Sequence, residues 1–176
     1  MNDGPSVSGT AASETSSPGV ASHEADSKPE PRVLLDAMCG KLATHLRMCG
    51  YDAAYALDRG IEGDDRLREL AREEGRTLLT RDRELAARAD DSVLLDSRDV
   101  RDQLQELAGV GFALGLDEPT RCGRCNGRLE PVDGHGSTPE YAPDPATEQV
   151  WRCEECSQHF WKGSHWERVA ATLSDL

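Results

Sequence analysis

Isoleucine, phenylalanine, lysine and long apolar runs are all scarce in this sequence of 176 residues. It contains one Ile, two Phe and three Lys, against 17 Asp and 16 Glu, and its formal net charge is −13. No apolar run approaches the roughly 20 residues that a membrane-spanning helix needs, and the N-terminus has no signal-peptide pattern. We therefore expect a cytoplasmic protein without a membrane partner.

An acid-rich, lysine-poor surface suits a cytosol of very high salt, because dissolved ions screen the repulsion among the carboxylates. We hypothesise a halophilic source on this ground. In ordinary cytosol the negative charge would argue against nucleic-acid binding, but in molar salt that argument loses its force. Charge alone therefore excludes few partners.

The first 31 residues contain no aromatic residue, no Leu and no Ile, and are rich in Ser, Gly, Ala, Pro and acids. Such a segment cannot bury enough apolar surface to offset the entropy that ordering would cost. We predict that residues 1–31 form a disordered acidic tail.

Residues 32–118 alternate between short β-prone runs and amphipathic segments, which indicates an α/β domain. Met38, Leu42, Leu46 and Cys49 recur at helical spacing and predict a helix whose inner face they share. Because βαβ crossovers are right-handed, we expect a parallel sheet flanked by helices, with strand order 2-1-3-4. The four runs predicted as strands are 32–36, 51–55, 77–80 and 92–96.

Carboxylates follow two of these strands, at the edge of a parallel sheet where ligands bind. Asp36 ends the first run and Asp82 follows the third, while Asp64 and Asp65 begin a helix at the same edge. Converging carboxylates repel one another unless a cation lies between them, and Mg²⁺ or Mn²⁺ prefers such oxygen ligands. The alternative is structural, since Asp64 or Asp96 would also serve as a helix N-cap.

Four of the six cysteines form two C-x-x-C pairs, and in a reducing compartment this pattern indicates metal rather than disulfides. Four thiolates at this spacing predict a tetrahedral structural zinc site. Asn126 and Gly127 follow the first pair and suit a knuckle whose backbone amides point at sulfur. The predicted zinc ligands are Cys122, Cys125, Cys153 and Cys156.

The module that holds these cysteines is predicted to span residues 119–176. Residues 133–149, rich in Gly, Pro, Thr and acids, are predicted to be a flexible insertion. A C-terminal helix is expected to begin with a capping box formed by Ser164 and Glu167.

The sequence resembles the Mut7-C family in LLDAMCGKLATHLRMCGYD, DDRLRELAREEGRTLLTRDREL, the two C-x-x-C pairs and WKGSHW. The resemblance implies a PIN-like domain with a C-terminal zinc ribbon and a ribonuclease that cleaves single-stranded RNA with metal-activated water. The acids that it implies are Asp36, Asp65 and Asp82, with Asp64 as the neighbouring alternative and Glu84 as a weaker fourth position.

Basic and aromatic residues are candidates for contacts with RNA. The aromatics Trp151, Phe160, Trp161 and Trp166 would either stack on bases or form the small core of the ribbon. The candidates for substrate binding are Lys41, Arg47, Arg81, Arg83 and His165.

Two other functions compete with a metal-dependent ribonuclease. In a non-catalytic RNA-binding adaptor, the ribbon would bind RNA and the acids would be remnants. A haloacid-dehalogenase-like phosphatase also begins with an acid after its first strand, but it requires a second acid two residues later. Met38 stands there, so this function is set aside.

Overall fold

A computed structural model describes residues 32–176 of the protein. In its larger part, short buried strands alternate with helices. Numbered in chain order, the strands of its sheet pair in parallel in the order 2-1-3-4, as predicted. The predicted disordered tail lies outside the described residues. The elements are β1 (Arg32–Leu35), α1 (Gly40–Met48), β2 (Asp52–Tyr55), α2 (Asp64–Glu74), β3 (Thr77–Thr80), α3 (Arg83–Arg88), β4 (Ser92–Leu94) and α4 (Val100–Gly109).

Helices cover both faces of this sheet, which explains why its strands are continuous apolar runs. One face of β1 packs against α1 and α4, where Leu42 and Leu104 are fully buried. The other face packs against α2 and α3 through Leu67 and Leu85. Each buried leucine contributes about 1.5–3 kcal/mol of transfer free energy, so the two clusters fix the carboxyl ends of the strands.

The first helix begins later than the sequence pattern predicts. Met38 lies in a 3-10 turn and is 53% exposed, so it does not share the inner face with Leu42. The hydroxyl of Tyr55 donates to the carbonyl of Ala37 at 2.7 Å, and a Cβ at Gly40 would lie 2.8 Å from that hydroxyl. The tyrosine thus packs over the turn and the glycine where α1 begins.

The C-terminal part contains a three-stranded antiparallel sheet and one helix. The strands β5 (Leu129–Pro131), β6 (Val150–Cys153) and β7 (His159–Trp161) pair in that order. The intervening segment 132–149, which includes the predicted insertion, contains turns and no helix or strand. Helix α5 (Ser164–Ser174) follows, and its Leu173 packs against the core of the larger sheet.

The predicted capping box at the start of α5 does not form. Gly163 is the N-cap and no side chain caps the helix; the backbone N–H of Glu167 donates to the Gly163 carbonyl instead. The indole of Trp161 lies against Gly163, where a Cβ would meet its Nε1 at 2.6 Å. Ser164 is therefore already inside the helix and its hydroxyl does not serve as the cap.

A buried arginine joins the two sheets, which corrects the expectation that Arg47 contacts RNA phosphates. Its guanidinium donates to the carbonyls of Ala53 at 2.8 Å and of Arg124 at 2.9 Å, and pairs with Asp58. The side chain is only 3% exposed. Arg47 therefore anchors the first cysteine knuckle to α1 and β2.

A second polar cluster supports the same junction. Asn126 accepts from the backbone N–H of Ala53 at 2.9 Å and donates to Asp52 at 2.7 Å. Asp52 also pairs with the buried side chain of Arg76 at 2.9 Å. Burial alone would raise the pKa of Asp52, but the hydrogen bonds from Arg76 and Asn126 outweigh it and hold that pKa at about 2.

In residues 32–176, each helix is too short or too polar to cross a lipid bilayer.

Candidate functional site

Two acids meet at the carboxyl edge of β1 and β3 through a shared threonine. Asp36 directly follows β1, and its backbone N–H donates to the Leu79 carbonyl of β3 at 3.0 Å. The hydroxyl of Thr80, which is fully buried, donates to Asp36 Oδ2 at 2.8 Å. The same hydroxyl accepts from the backbone N–H of Asp82 at 3.0 Å. This pair of contacts fixes the two acids relative to each other.

Asp82 also caps a helix, a role that the sequence suggested for other acids. Its Oδ1 accepts from the backbone N–H groups of Glu84 at 2.8 Å and Leu85 at 2.9 Å. Its Oδ2 and the Oδ1 of Asp36 have no hydrogen-bond or ion-pair partner in the part of the chain that the structure describes. Each acid therefore keeps one oxygen for a ligand.

The structure does not bring Asp64 and Asp65 to this pair. Asp64 pairs with Arg88 at 2.9 Å, and Asp65 with Arg68 at 3.3 Å and Arg88 at 3.5 Å. The Asp65 side chain is 87% exposed. Neither acid joins Asp36 and Asp82 in a group of three ligand atoms within 4.8 Å, at least over residues 32–176.

The four cysteines do form such a group. Their sulfurs lie within 4.8 Å of one another, with Cys122 and Cys156 at 3.7 Å and Cys125 and Cys153 at 3.5 Å. Four thiolates this close match the closed tetrahedral ligand set of a structural zinc ion. The donor set therefore fits zinc, as the sequence predicted.

Backbone geometry shapes both knuckles around the sulfurs. The N–H of Cys125 points at Cys122 Sγ at 3.4 Å, and the N–H of Cys156 at Cys153 Sγ at 3.5 Å. A Cβ at Gly127 would lie 2.8 Å from Cys153 Sγ, so only glycine lets the chain pass there. The two knuckles thus direct amides at the thiolates, as the Asn-Gly sequence indicated.

The comparison with protein-family models agrees with this arrangement. A model described as the Mut7-C RNAse domain matches residues 31–173. The chain belongs to the Mut7-C RNAse domain family. This membership confirms the resemblance seen in the sequence and suggests a ribonuclease-like function with RNA as the substrate. Searches of the curated proteins and of the solved structures found no match.

Two of the predicted basic residues lie beside the acids of this Mut7-C domain. Arg81 lies between Thr80 and Asp82 in the chain and is partly buried. Arg83 begins α3 with a side chain that is 78% exposed, and it pairs with Asp96 at 3.0 Å. The exposed pair contributes little to stability, so Arg83 can exchange its partner for a phosphate.

Lys41 and His165 lie on two other helices, α1 and α5. Lys41 is exposed on α1, one turn after Asp36, and His165 is exposed on α5. Asp96 does not cap the following helix, because Asp99 takes that place and accepts from the Arg101 N–H at 2.9 Å.

Sequence patterns missed two residues that shape the carboxyl edge. One is Thr80, whose hydroxyl connects the acids; its signal was the T-x-D spacing. The other is Glu106 of α4, which accepts from the backbone N–H groups of Asp96 at 2.9 Å and Ser97 at 3.0 Å. Burial would raise the pKa of Glu106, but these bonds and the charge of Arg81 lower it. The sequence contains no local pattern that would predict this contact between α4 and the segment that follows β4.

Cys39 lies close to the acids but is not a nucleophile at neutral pH. Burial, together with the charge of Asp36, raises the pKa of its thiol to about 11. The thiolate is the reactive form. Cys39, which is 1% exposed, is therefore a small core residue.

Proposed function

We propose that this Mut7-C chain is a metal-dependent ribonuclease that cleaves single-stranded RNA at the carboxyl edge of its parallel sheet. One observation carries the proposal: Asp36 and Asp82, joined through the hydroxyl of Thr80, have no basic partner within residues 32–176. Asp64 and Asp65, by contrast, pair with arginines.

The donor set fits a hard divalent cation. Mg²⁺ is typically held by one or two carboxylates, with water and substrate phosphates completing its octahedron. Asp36 and Asp82 each offer one oxygen from neighbouring strands. A cation held between them would supply an activated water and neutralise the charge that builds on the phosphodiester. We propose these two acids as the ligands, with no direct part for Asp64 or Asp65.

The chain's own residues orient this site. Thr80 holds the Asp36 carboxylate through one hydrogen bond, and the α3 amides hold that of Asp82. Arg81 and Arg83 flank Asp82 and would bind the RNA phosphates on either side of the bond that is cleaved. Glu84 is exposed in the first turn of α3 and would contact water rather than the cation.

A zinc ion at the four cysteines would have a structural role, unlike the cation at the acids. Four cysteine ligands leave no open position for substrate, so a zinc ion there would be structural. It would hold the first knuckle against α1 through the Arg47 contacts described above. The ribbon would thereby be a rigid part of the nuclease and not a separate flexible module.

A cleavage assay tests the proposal. Labelled single-stranded RNA is incubated with the full-length protein in molar KCl, with Mn²⁺, with Mg²⁺ or with neither. We expect cleavage only with added cation, and none by a doubly substituted D36N/D82N protein purified identically, which controls for contaminating nucleases. RNA binding without cleavage under every condition would contradict the proposal and favour the adaptor function.

A further inference from the structure

A cavity of about 490 Å³ opens where α1 meets the zinc ribbon, away from the acids. This volume is typical of a small-molecule site. Its wall combines one face of α1, the first cysteine knuckle and the segment from β7 into α5. The lining includes Thr44, Met48, Arg124, Phe160, Trp161 and Trp166.

The aromatic side chains of this wall are not the core of the ribbon. The buried apolar residues of this part include Val150, Trp151 and Val169, which are 0%, 6% and 3% exposed. Trp161 and Trp166, by contrast, are only partly buried and border the cavity. The sequence left both roles open, and the structure assigns the core role to Trp151 alone among the three tryptophans.

Two local contacts hold these indoles in place. Lys162 Nζ lies 5.3 Å from the ring centre of Trp166 and 5.9 Å from that of Trp151, within cation–π range. Trp161 lies against the backbone of Gly163, as described above. The cavity therefore has a pre-organised aromatic wall.

The charge around the cavity is opposite to that of the chain. The sequence has 33 acids, yet the cavity lining includes no Asp or Glu and does include Arg121, Arg124, His159 and His165. Arg124 is exposed, and no other residue of the range 32–176 pairs with its guanidinium. A basic, aromatic surface on so acidic a protein complements a ligand with both phosphate and flat rings.

Helix α1 connects this surface to the acids. It contains no Asp or Glu, and Lys41, Thr44 and Met48, spaced i, i+3 and i+7, share its outer face. The distance along the axis from Gly40 to Met48 is about 12 Å. A single strand lying along α1 would reach from Asp36 to the cavity without passing an acid of that helix.

We propose that the cavity binds an unpaired base of single-stranded RNA, stacked on Trp161 or Trp166, with its phosphates at Arg124 and Lys41. The choice of RNA as the ligand rests on the proposed function; the site itself rests on the cavity, its aromatic wall and its charge. Paired bases cannot enter, so the cavity selects single strands.

The test measures binding in the absence of cleavage. Fluorescence anisotropy follows a short labelled oligouridylate with the full-length, zinc-loaded protein and no added Mg²⁺ or Mn²⁺. Loss of one base–aromatic stack in W166A should weaken binding about 10-fold, and R124E should weaken it as well. The matched control is R72E, an equal change of charge on the distant helix α2, which should bind as wild type. The same oligonucleotide in a duplex should bind more weakly.

The possible results either support or overturn the proposed RNA site. Equal binding by wild type, W166A and R124E overturns the proposal, and so does a wild-type protein that binds no single strand. If W166A loses zinc, its binding cannot be interpreted, and two other measurements take its place. Binding by R124E must still be weakened, and photo-crosslinks from 5-iodouridine RNA to the wild-type protein must fall on β7 or α5. Weakened binding in the variants together with no cleavage by wild type would support the cavity and reject the nuclease.

Discussion

Replacement of Thr80 by valine tests the geometry of the acidic pair without removing either acid. The side chain is fully buried, and valine preserves its shape while replacing the hydroxyl with a methyl group. T80V removes the donor to Asp36 and the acceptor for the Asp82 N–H. T80S is the matched control, because it keeps the hydroxyl and loses only the methyl group.

The magnitudes follow from the two lost hydrogen bonds. A bond to a charged group is worth about 1.5–3 kcal/mol, and an unpaired buried N–H costs about 1–3 kcal/mol. Because Asp36 and Asp82 are only partly buried, water replaces part of each lost bond, and we expect the free energy of unfolding of T80V to fall by about 2–4 kcal/mol. Loss of a residue that orients a metal ligand typically weakens metal binding about 10- to 100-fold. T80S should lose about 1 kcal/mol for its methyl group and bind metal as wild type.

Two assays read these effects separately. Urea unfolding of the zinc-loaded proteins gives the stability, and the Mn²⁺ concentration that half-saturates RNA cleavage gives the metal affinity. If T80V needs no more Mn²⁺ than T80S does, then Thr80 does not position Asp36 for a cation, and the argument from this hydrogen bond is refuted.

Three further predictions concern the rest of the molecule. Elemental analysis should find one zinc per chain, and chelation should unfold the ribbon, because small domains take much of their folding energy from the metal; two disulfides in the intact mass would contradict this. The free energy of unfolding of D52N, measured with urea at neutral pH, should be about 3 kcal/mol below that of wild type, because the buried charge of Arg76 loses a partner. The contribution of ionised Asp52 to the wild-type free energy of unfolding is complete above the usual pKa of 3.8 and is lost as the pH falls toward 2. The free energy of unfolding of D52N should therefore depend less on pH in this range. Equal pH dependence of wild type and D52N would refute the pairing of Asp52 with Arg76. Finally, a halophilic surface predicts a thermal midpoint that rises from low to molar KCl, and an unchanged midpoint would refute it.

The parallel sheet was predictable because its signals are local. Apolar runs such as Thr77–Thr80 mark strands buried on both faces, and right-handed crossovers leave few possible strand orders. The two C-x-x-C pairs likewise specify their site by spacing. The prediction that Met38 lies on the inner face of the first helix was wrong, because a tyrosine from β2 covers the turn before α1. Helical periodicity contains no information about that contact.

The acidic site was only partly predictable. Strand ends predicted that Asp36 and Asp82 would meet, but not the shared hydroxyl of Thr80. Asp65 pairs with Arg88, 23 residues later, and that contact depends on how α2 packs against α3. Arg47 follows a buried leucine in α1, and the docking of the ribbon, rather than any sequence pattern, decides its burial.

The binding of Mn²⁺ to single variants tests whether Asp36 and Asp82 hold the cation. Electron paramagnetic resonance measures free and bound Mn²⁺ for zinc-loaded wild type, D36N, D82N and D65N at equal protein concentration. We predict that wild type and D65N bind Mn²⁺ alike, whereas D36N and D82N lose most of that binding. Equal binding by all four proteins, or a loss confined to D65N, would contradict the assignment of the cation to Asp36 and Asp82.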